Sequence, residues 1–161
     1  MKFHLTSPAF MHEHEIPIRH TCDGADVSPA LAWGDPPEGT KSFALVVDDP
    51  DAPDPRAPTR TWVHWVLYRL PASARAIPEG AEATLPPGTV EGLNDWQRVG
   101  WRGPCPPIGK HRYFFKLYAL DIALAGLGAG ASKSELIDAM SGHVLGTATL
   151  IGTFERFQGG Q

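Results

Sequence analysis

Residues 62–70 read W-V-H-W-V-L-Y-R-L, a run crowded with aromatic and β-branched side chains. It is shorter than a typical helix, and its residue types suit a pleated surface, so it reads as a strand. Period-2 geometry puts Trp62, His64, Val66 and Tyr68 on one face and Val63, Trp65 and Leu67 on the other. Apolar side chains on both faces predict a strand covered on both sides. Two more runs share this character. K-S-F-A-L-V-V at 41–47 is bounded by Gly39 and Pro50. In H-R-Y-F-F-K-L-Y-A-L at 111–120, His111, Tyr113, Phe115 and Leu117 share one face, and Arg112, Phe114 and Lys116 the other. A fourth strand is expected near 148–157.

Between these runs lie D-P-P-E-G at 35–39, P-D-A-P-D-P-R-A-P at 50–58 and G-P-C-P-P-I-G at 103–109. So much proline and glycine predicts loops rather than sheet interior. The clearest helix runs from Ser132 to about Met140, where Ser132 and Glu135 form an S-x-x-E capping box ahead of Leu136, Ile137 and Met140. No linker, charge block or repeat divides the chain. The expectation is a mainly β fold in a single domain over residues 1–161, with two antiparallel sheets packed as a β-sandwich and one or two short peripheral helices.

Fourteen basic residues against eighteen acidic ones give a formal charge of −4, and no basic stretch interleaves with aromatics, which excludes a nucleic-acid surface. No apolar run approaches the roughly 20 residues that span a bilayer, and the N-terminus lacks the apolar core of a signal peptide. A cytoplasmic protein without stable membrane insertion is expected. Cys22 and Cys105 are the only cysteines. They lack zinc-site spacing and read as inert thiols, with a disulfide open only if the fold makes them neighbours. His12, Glu13 and His14, with His20 and Cys22 behind, read as edge-strand histidines rather than metal ligands.

Three polar clusters interrupt the apolar strands. In D-D-P-D-A-P-D, residues 48–54, the prolines stiffen the backbone that presents Asp49 and Asp51. Taken alone the segment is a solvated acidic turn, and the glycine and glutamate of a calcium loop are missing. His64 stands among tryptophans, where a desolvated imidazole needs a hydrogen-bond partner. In G-W-R-G-P-C-P-P-I-G-K-H-R-Y, residues 100–113, glycines allow close approach to the backbone ahead of His111 and Tyr113.

The segments D-P-D-A-P (49–53), W-V-H-W (62–65), G-P-C-P-P (103–107) and H-R-Y-F (111–114) together resemble the signature blocks of the phosphatidylethanolamine-binding, or Raf-kinase-inhibitor-like, family. The resemblance continues in T-C-D-G (21–24), S-P-A-L-A-W (28–33), A-M-S-G-H-V-L-G (139–146) and L-I-G-T-F (150–154), and its variants are similar to the bacterial and archaeal branch. It implies a pocket for phosphate, a phosphorylated head group or an acidic group of a partner protein, with Asp49, Asp51, Pro53, His64, Gly103, Pro104, His111 and Tyr113 as ligand-binding residues. It also implies a non-enzymatic role, with no catalytic residue, cofactor or metal, allows inhibition of a kinase or protease, and allows a homodimer. Two departures stand out. The sequence ends at F-Q-G-G-Q, without the C-terminal helix of eukaryotic relatives, and Trp101–Arg102 replaces smaller residues, placing a positive charge near the expected pocket mouth.

Charge assigns roles within such a pocket. Two aspartates repel an anion, so Asp49 and Asp51 are expected to hold His64 and His111 as imidazolium. The rings, Tyr113 and loop N–H groups then face the ligand, between walls of Trp62, Trp65 and Trp101. The alternative is a hydrolase with a His/Asp acid–base pair and a cysteine or water nucleophile. It lacks a convincing oxyanion site, since C-P-P places proline where a backbone N–H would help.

Overall fold

The computed structural model describes residues 2–156. In chain order the strands are β1 His4–Thr6, β2 His14–Glu15, β3 Leu31–Gly34, β4 Ser42–Ala52, β5 Arg60–Pro71, β6 Ala76–Ile77, β7 Val90–Glu91, β8 His111–Leu120 and β9 Val144–Phe154. They form a three-stranded sheet in the order β1-β3-β6 and a six-stranded sheet in the order β2-β9-β8-β4-β5-β7. The fold is mainly β, as the sequence implies. Leu5, Leu31, Trp33 and Ile77 from the small sheet pack against Phe43, Leu45, Phe115 and Leu117 from the large one, and this layer is the main core. Phe157, the end expected for the last strand, lies outside the described residues.

Pairing departs from the all-antiparallel expectation at one edge, where the two-residue β2 runs parallel to β9. The N-terminal segment reaches this edge over Gly152, where an added Cβ would stand 2.5 Å from Ile16 Cγ1. β4 also runs past Asp49 to Ala52, into the segment expected to be a loop. Pro50 is tolerated because β4 pairs with β8 only as far as Asp48, so its missing N–H removes no ladder bond there.

The faces of β5 differ from strict alternation. Val47 pairs with Trp65 but Asp48 pairs with Val63, so His64 is an extra residue in β5. This β-bulge turns His64 and Trp65 to the same side of the sheet. Trp65 and Leu67 therefore enter the main core, while Val63, Val66 and Tyr68 face the opposite layer. There α1, Lys133–Met140, covers β4 and β5 with Leu136 and Met140. The expected capping box is formed, with Glu135 N–H donating to Ser132 Oγ at 3.1 Å and Ser132 N–H to Glu135 Oε1 at 2.9 Å. α1 is the one α-helix among the described residues, joined by two single-turn 3₁₀ segments, Ile18–His20 and Ala81–Ala83. No described helix is long and apolar enough to cross a membrane.

Cys22 and Cys105 are joined in a disulfide with a Cα–Cα distance of 5.4 Å, which corrects the expectation of free thiols. Eighty-three residues separate them in sequence. They meet because Cys22 N–H donates to Pro104 O at 3.1 Å, laying the 21–24 turn beside the G-P-C-P-P segment. Closing so long a loop restricts the unfolded chain, and replacing both cysteines with serine is expected to lower stability by about 2–4 kcal/mol in non-reducing denaturant titrations. An unchanged denaturation midpoint would contradict this role.

Candidate functional site

Beyond the end of the main core, the same sheet face opens into a cavity of about 240 Å³. β4 contributes Asp49 and Ala52, β5 contributes Arg60, Trp62 and His64, and β8 contributes His111 and Tyr113. Pro53, Trp96 and Cys105 to Pro107 complete the lining. Of the eight residues singled out from the sequence, Asp49, Pro53, His64, His111 and Tyr113 meet here. Asp51, Gly103 and Pro104 do not line the cavity.

Those three support the wall from behind. Gly103 N–H donates to Asp26 Oδ1 at 2.9 Å, and an added Cβ would lie 2.2 Å from His20 O, so only glycine lets the segment pass. Pro104 offers its carbonyl to Cys22. Asp51 turns to Arg112, taking two guanidinium bonds of 2.9 and 3.0 Å and the Arg112 N–H at 2.9 Å. Those hydrogen bonds hold its carboxyl below the usual carboxylate range. The expectation that Asp51 orients a histidine is therefore corrected. β8 alternation sends Arg112 to the opposite face from His111, and Asp51 follows the arginine.

Asp49 does hold a histidine. His111 Nδ1 and Asp49 Oδ2 share a hydrogen bond of 2.5 Å, while Asp49 Oδ1 accepts from Asp51 N–H at 2.7 Å. Burial pushes the Asp49 carboxyl up, against the opposing pull of His111. The second ring nitrogen of His111, Nε2, faces the carbonyls of Ile108 at 2.9 Å and Pro53 at 3.1 Å, so it carries a proton. With both nitrogens engaged, His111 has no N–H left for a ligand. Its ring instead stacks behind Tyr113, 6.3 Å between centroids and 19° from parallel.

His64 has a carbonyl partner rather than a carboxylate. Its Nδ1 donates to Arg102 O at 2.5 Å, and Arg102 N–H returns a bond to His64 O at 3.2 Å. Full burial pushes the imidazole down to about 4, so at neutral pH the ring is uncharged. That corrects the imidazolium expected from the sequence. A neutral ring that donates from Nδ1 presents Nε2 to a ligand as an acceptor. Beside it, 5.3 Å between ring centroids, stands Tyr113, whose buried hydroxyl has no hydrogen-bond partner among the described residues. Burial also raises the Tyr113 pKa, which keeps this hydroxyl a neutral donor.

The walls differ from expectation as well. Trp62 lines the cavity, but Trp65 and Trp101 belong to the core, where their indole N–H groups bond Glu91 at 3.0 Å and Asp26 at 3.2 Å. Trp96 is the wall that sequence reasoning missed, together with Arg60, Ala52, Pro106 and Pro107. Arg60 and Trp96 stand outside the quoted blocks, and the bulge that turns His64 toward Trp96 leaves no trace in the strand pattern. Among the described residues no three histidine, cysteine, aspartate or glutamate side chains gather closely enough to hold a metal ion.

Comparison with known proteins agrees with this architecture. The profile of the phosphatidylethanolamine-binding protein family matches residues 6–155. The chain is 48% identical over 154 residues to a UPF0098 protein of Methanothermobacter thermautotrophicus, covering 94% of this chain and 98% of the relative. A UPF0098 protein of Aquifex aeolicus is 45% identical over 156 residues, covering 93% and 86%. Among solved structures, E. coli YbcL superposes with a TM-score of 0.88 at 32% identity, covering 98% of this chain and 100% of that one. A putative homolog of the family from Chlamydia trachomatis gives a TM-score of 0.87 at 40% identity, covering 96% and 98%. With the fold, the signature blocks and the relatives in agreement along nearly its full length, the chain belongs to the phosphatidylethanolamine-binding protein family.

Proposed function

We propose that the cavity binds the phosphate or a similar oxyanion of a small molecule or of a partner protein, and that it does so without transforming it. The observation that carries this reading is the partnerless, buried Tyr113 hydroxyl beside the acceptor nitrogen of His64. A buried hydroxyl without a partner forfeits about 1–3 kcal/mol, which a ligand oxygen would restore. A singly protonated phosphate fits both groups, since its P–OH donates to His64 Nε2 and another oxygen accepts from Tyr113. At about 240 Å³ the cavity suits a head group and not acyl chains. Inhibition of a kinase or protease would follow if the captured group were an acidic or phosphorylated side chain of that enzyme. A cytoplasmic setting suits this reading where the cytosol tolerates disulfides, as in hyperthermophiles.

Among the described residues the lining contains no serine, threonine, lysine or free thiol, since Cys105 is in the disulfide. This favours binding over covalent catalysis. If generic phosphate or carboxylic esters are turned over, and His64→Ala abolishes the turnover, the binding reading fails. The expected result is no turnover in either protein.

Binding should weaken as pH rises. In the free protein His64 is protonated only below about 4, and an anion beside it raises that value, so complex formation favours proton uptake. A phosphate ester also loses its own bridging proton near pH ~6. Calorimetric titration with inorganic phosphate should therefore show affinity falling from acid to alkaline pH. Tyr113→Phe should weaken it by about tenfold or more, the worth of a hydrogen bond to a charged group. Equal affinity in Tyr113→Phe and the parent would contradict the proposed geometry.

A further inference from the structure

Four arginines have carboxylate partners, Arg19 with Glu79, Arg56 with Asp54, Arg112 with Asp51 and Arg156 with Asp23, and Arg75 donates to the carbonyls of Ala72 and Ala74. Arg60 and Arg102 are held differently. The Arg60 guanidinium lies 4.8 Å from the centroid of Trp62, and that of Arg102 lies 5.2 Å from the centroid of Trp96. Neither has a carboxylate within ion-pairing distance among the described residues, and both are exposed. The two tryptophans meet edge to face at 5.4 Å, and Trp96 meets His64 at 5.1 Å. A row Arg60–Trp62–Trp96–Arg102 thus borders the cavity, with His64 and Tyr113 behind it.

We propose that this row is a second anionic subsite, and that the natural ligand is a phosphoester bearing a further negative group, such as a carboxylate or second phosphate, next to the first. The proposal rests on the oxyanion reading of the cavity. Stacking on tryptophan fixes each guanidinium without neutralising it, and a planar fork so held is preorganised for a carboxylate or phosphate. The acidic groups nearby are already engaged: Asp49 with His111, Asp51 with Arg112, Asp54 with Arg56, and Asp95 with the Val63 N–H at 2.7 Å. A cationic substituent on the ligand would therefore meet two unopposed positive charges and no free carboxylate. The subsite selects against the ethanolamine head group from which the family takes its name.

Two small phosphoesters separate these outcomes. 2-Phosphoglycolate and phosphorylethanolamine share a phosphate monoester on a short carbon chain and differ in ending in a carboxylate or an ammonium. At low ionic strength, calorimetry on the intact protein should give 2-phosphoglycolate an affinity about tenfold or more above phosphorylethanolamine, and added salt should shrink the ratio. Replacing both exposed arginines, Arg60→Gln with Arg102→Gln, should collapse the ratio to within about twofold. Equal affinities in the parent protein, a preference for phosphorylethanolamine, or a ratio that survives in the double variant would each overturn the subsite. If inorganic phosphate binds while the ratio is flat, only the subsite fails. If inorganic phosphate does not bind at all, the oxyanion reading falls with it.

Discussion

Because β5 carries one residue more than β4 between the Val47–Trp65 and Asp48–Val63 pairs, His64 and Trp65 point to the same side of the sheet. Trp65 fills the core, and His64 is carried just past the core's edge to become part of the cavity. The two bonds between His64 and the Arg102 backbone then fasten the 100–107 segment to β5. From the other side Asp26 and the disulfide fasten the same segment to the 20–27 turn. Straightening the bulge would turn His64 to the opposite face and leave that segment without its inner anchor.

The electrostatics of the cavity follow from how each polar group is satisfied. Asp49 is engaged by His111, and Asp51 and Arg112 neutralise one another on the other face of the sheet, so neither aspartate turns a free carboxylate to a ligand. His64 is uncharged because full desolvation outweighs the opposing pull of the Arg102 and Gly103 backbone. What remains is a polar but nearly neutral cup with one donor and one acceptor. The unopposed positive charge lies at its rim, on Arg60 and Arg102. Such a division suits recognition of a compact oxyanion by hydrogen bonds inside and by charge at the rim.

Much of the fold was legible in the sequence. β8 was read with its ends and both faces, because nothing disturbs its alternation, and α1 was marked by its capping box. The strands of two to four residues were not legible, since each is held by its neighbours rather than by its own pattern. The faces of β5 were misread beyond His64 because a bulge is a property of the pair, set by the register of β4 and not by β5 alone. In the site, the quoted blocks brought five of the eight residues to one cavity. The role of Asp51 was misjudged because Arg112, one residue past His111, is the stronger partner and faces the other way. Trp96 and Arg60 reach the cavity through tertiary packing that no local spacing announces.

In the proposed anion cup a neutral His64 stands beside a Tyr113 hydroxyl that has no partner among the described residues. Proton–nitrogen NMR of the His64 ring, followed across pH with and without inorganic phosphate, tests this arrangement most directly. The ring is expected to be neutral at neutral pH with its proton on Nδ1, to titrate near 4 in the free protein, and to move to a higher value when phosphate is bound. An imidazolium at neutral pH in the free protein, or a titration that phosphate leaves unmoved, would contradict it.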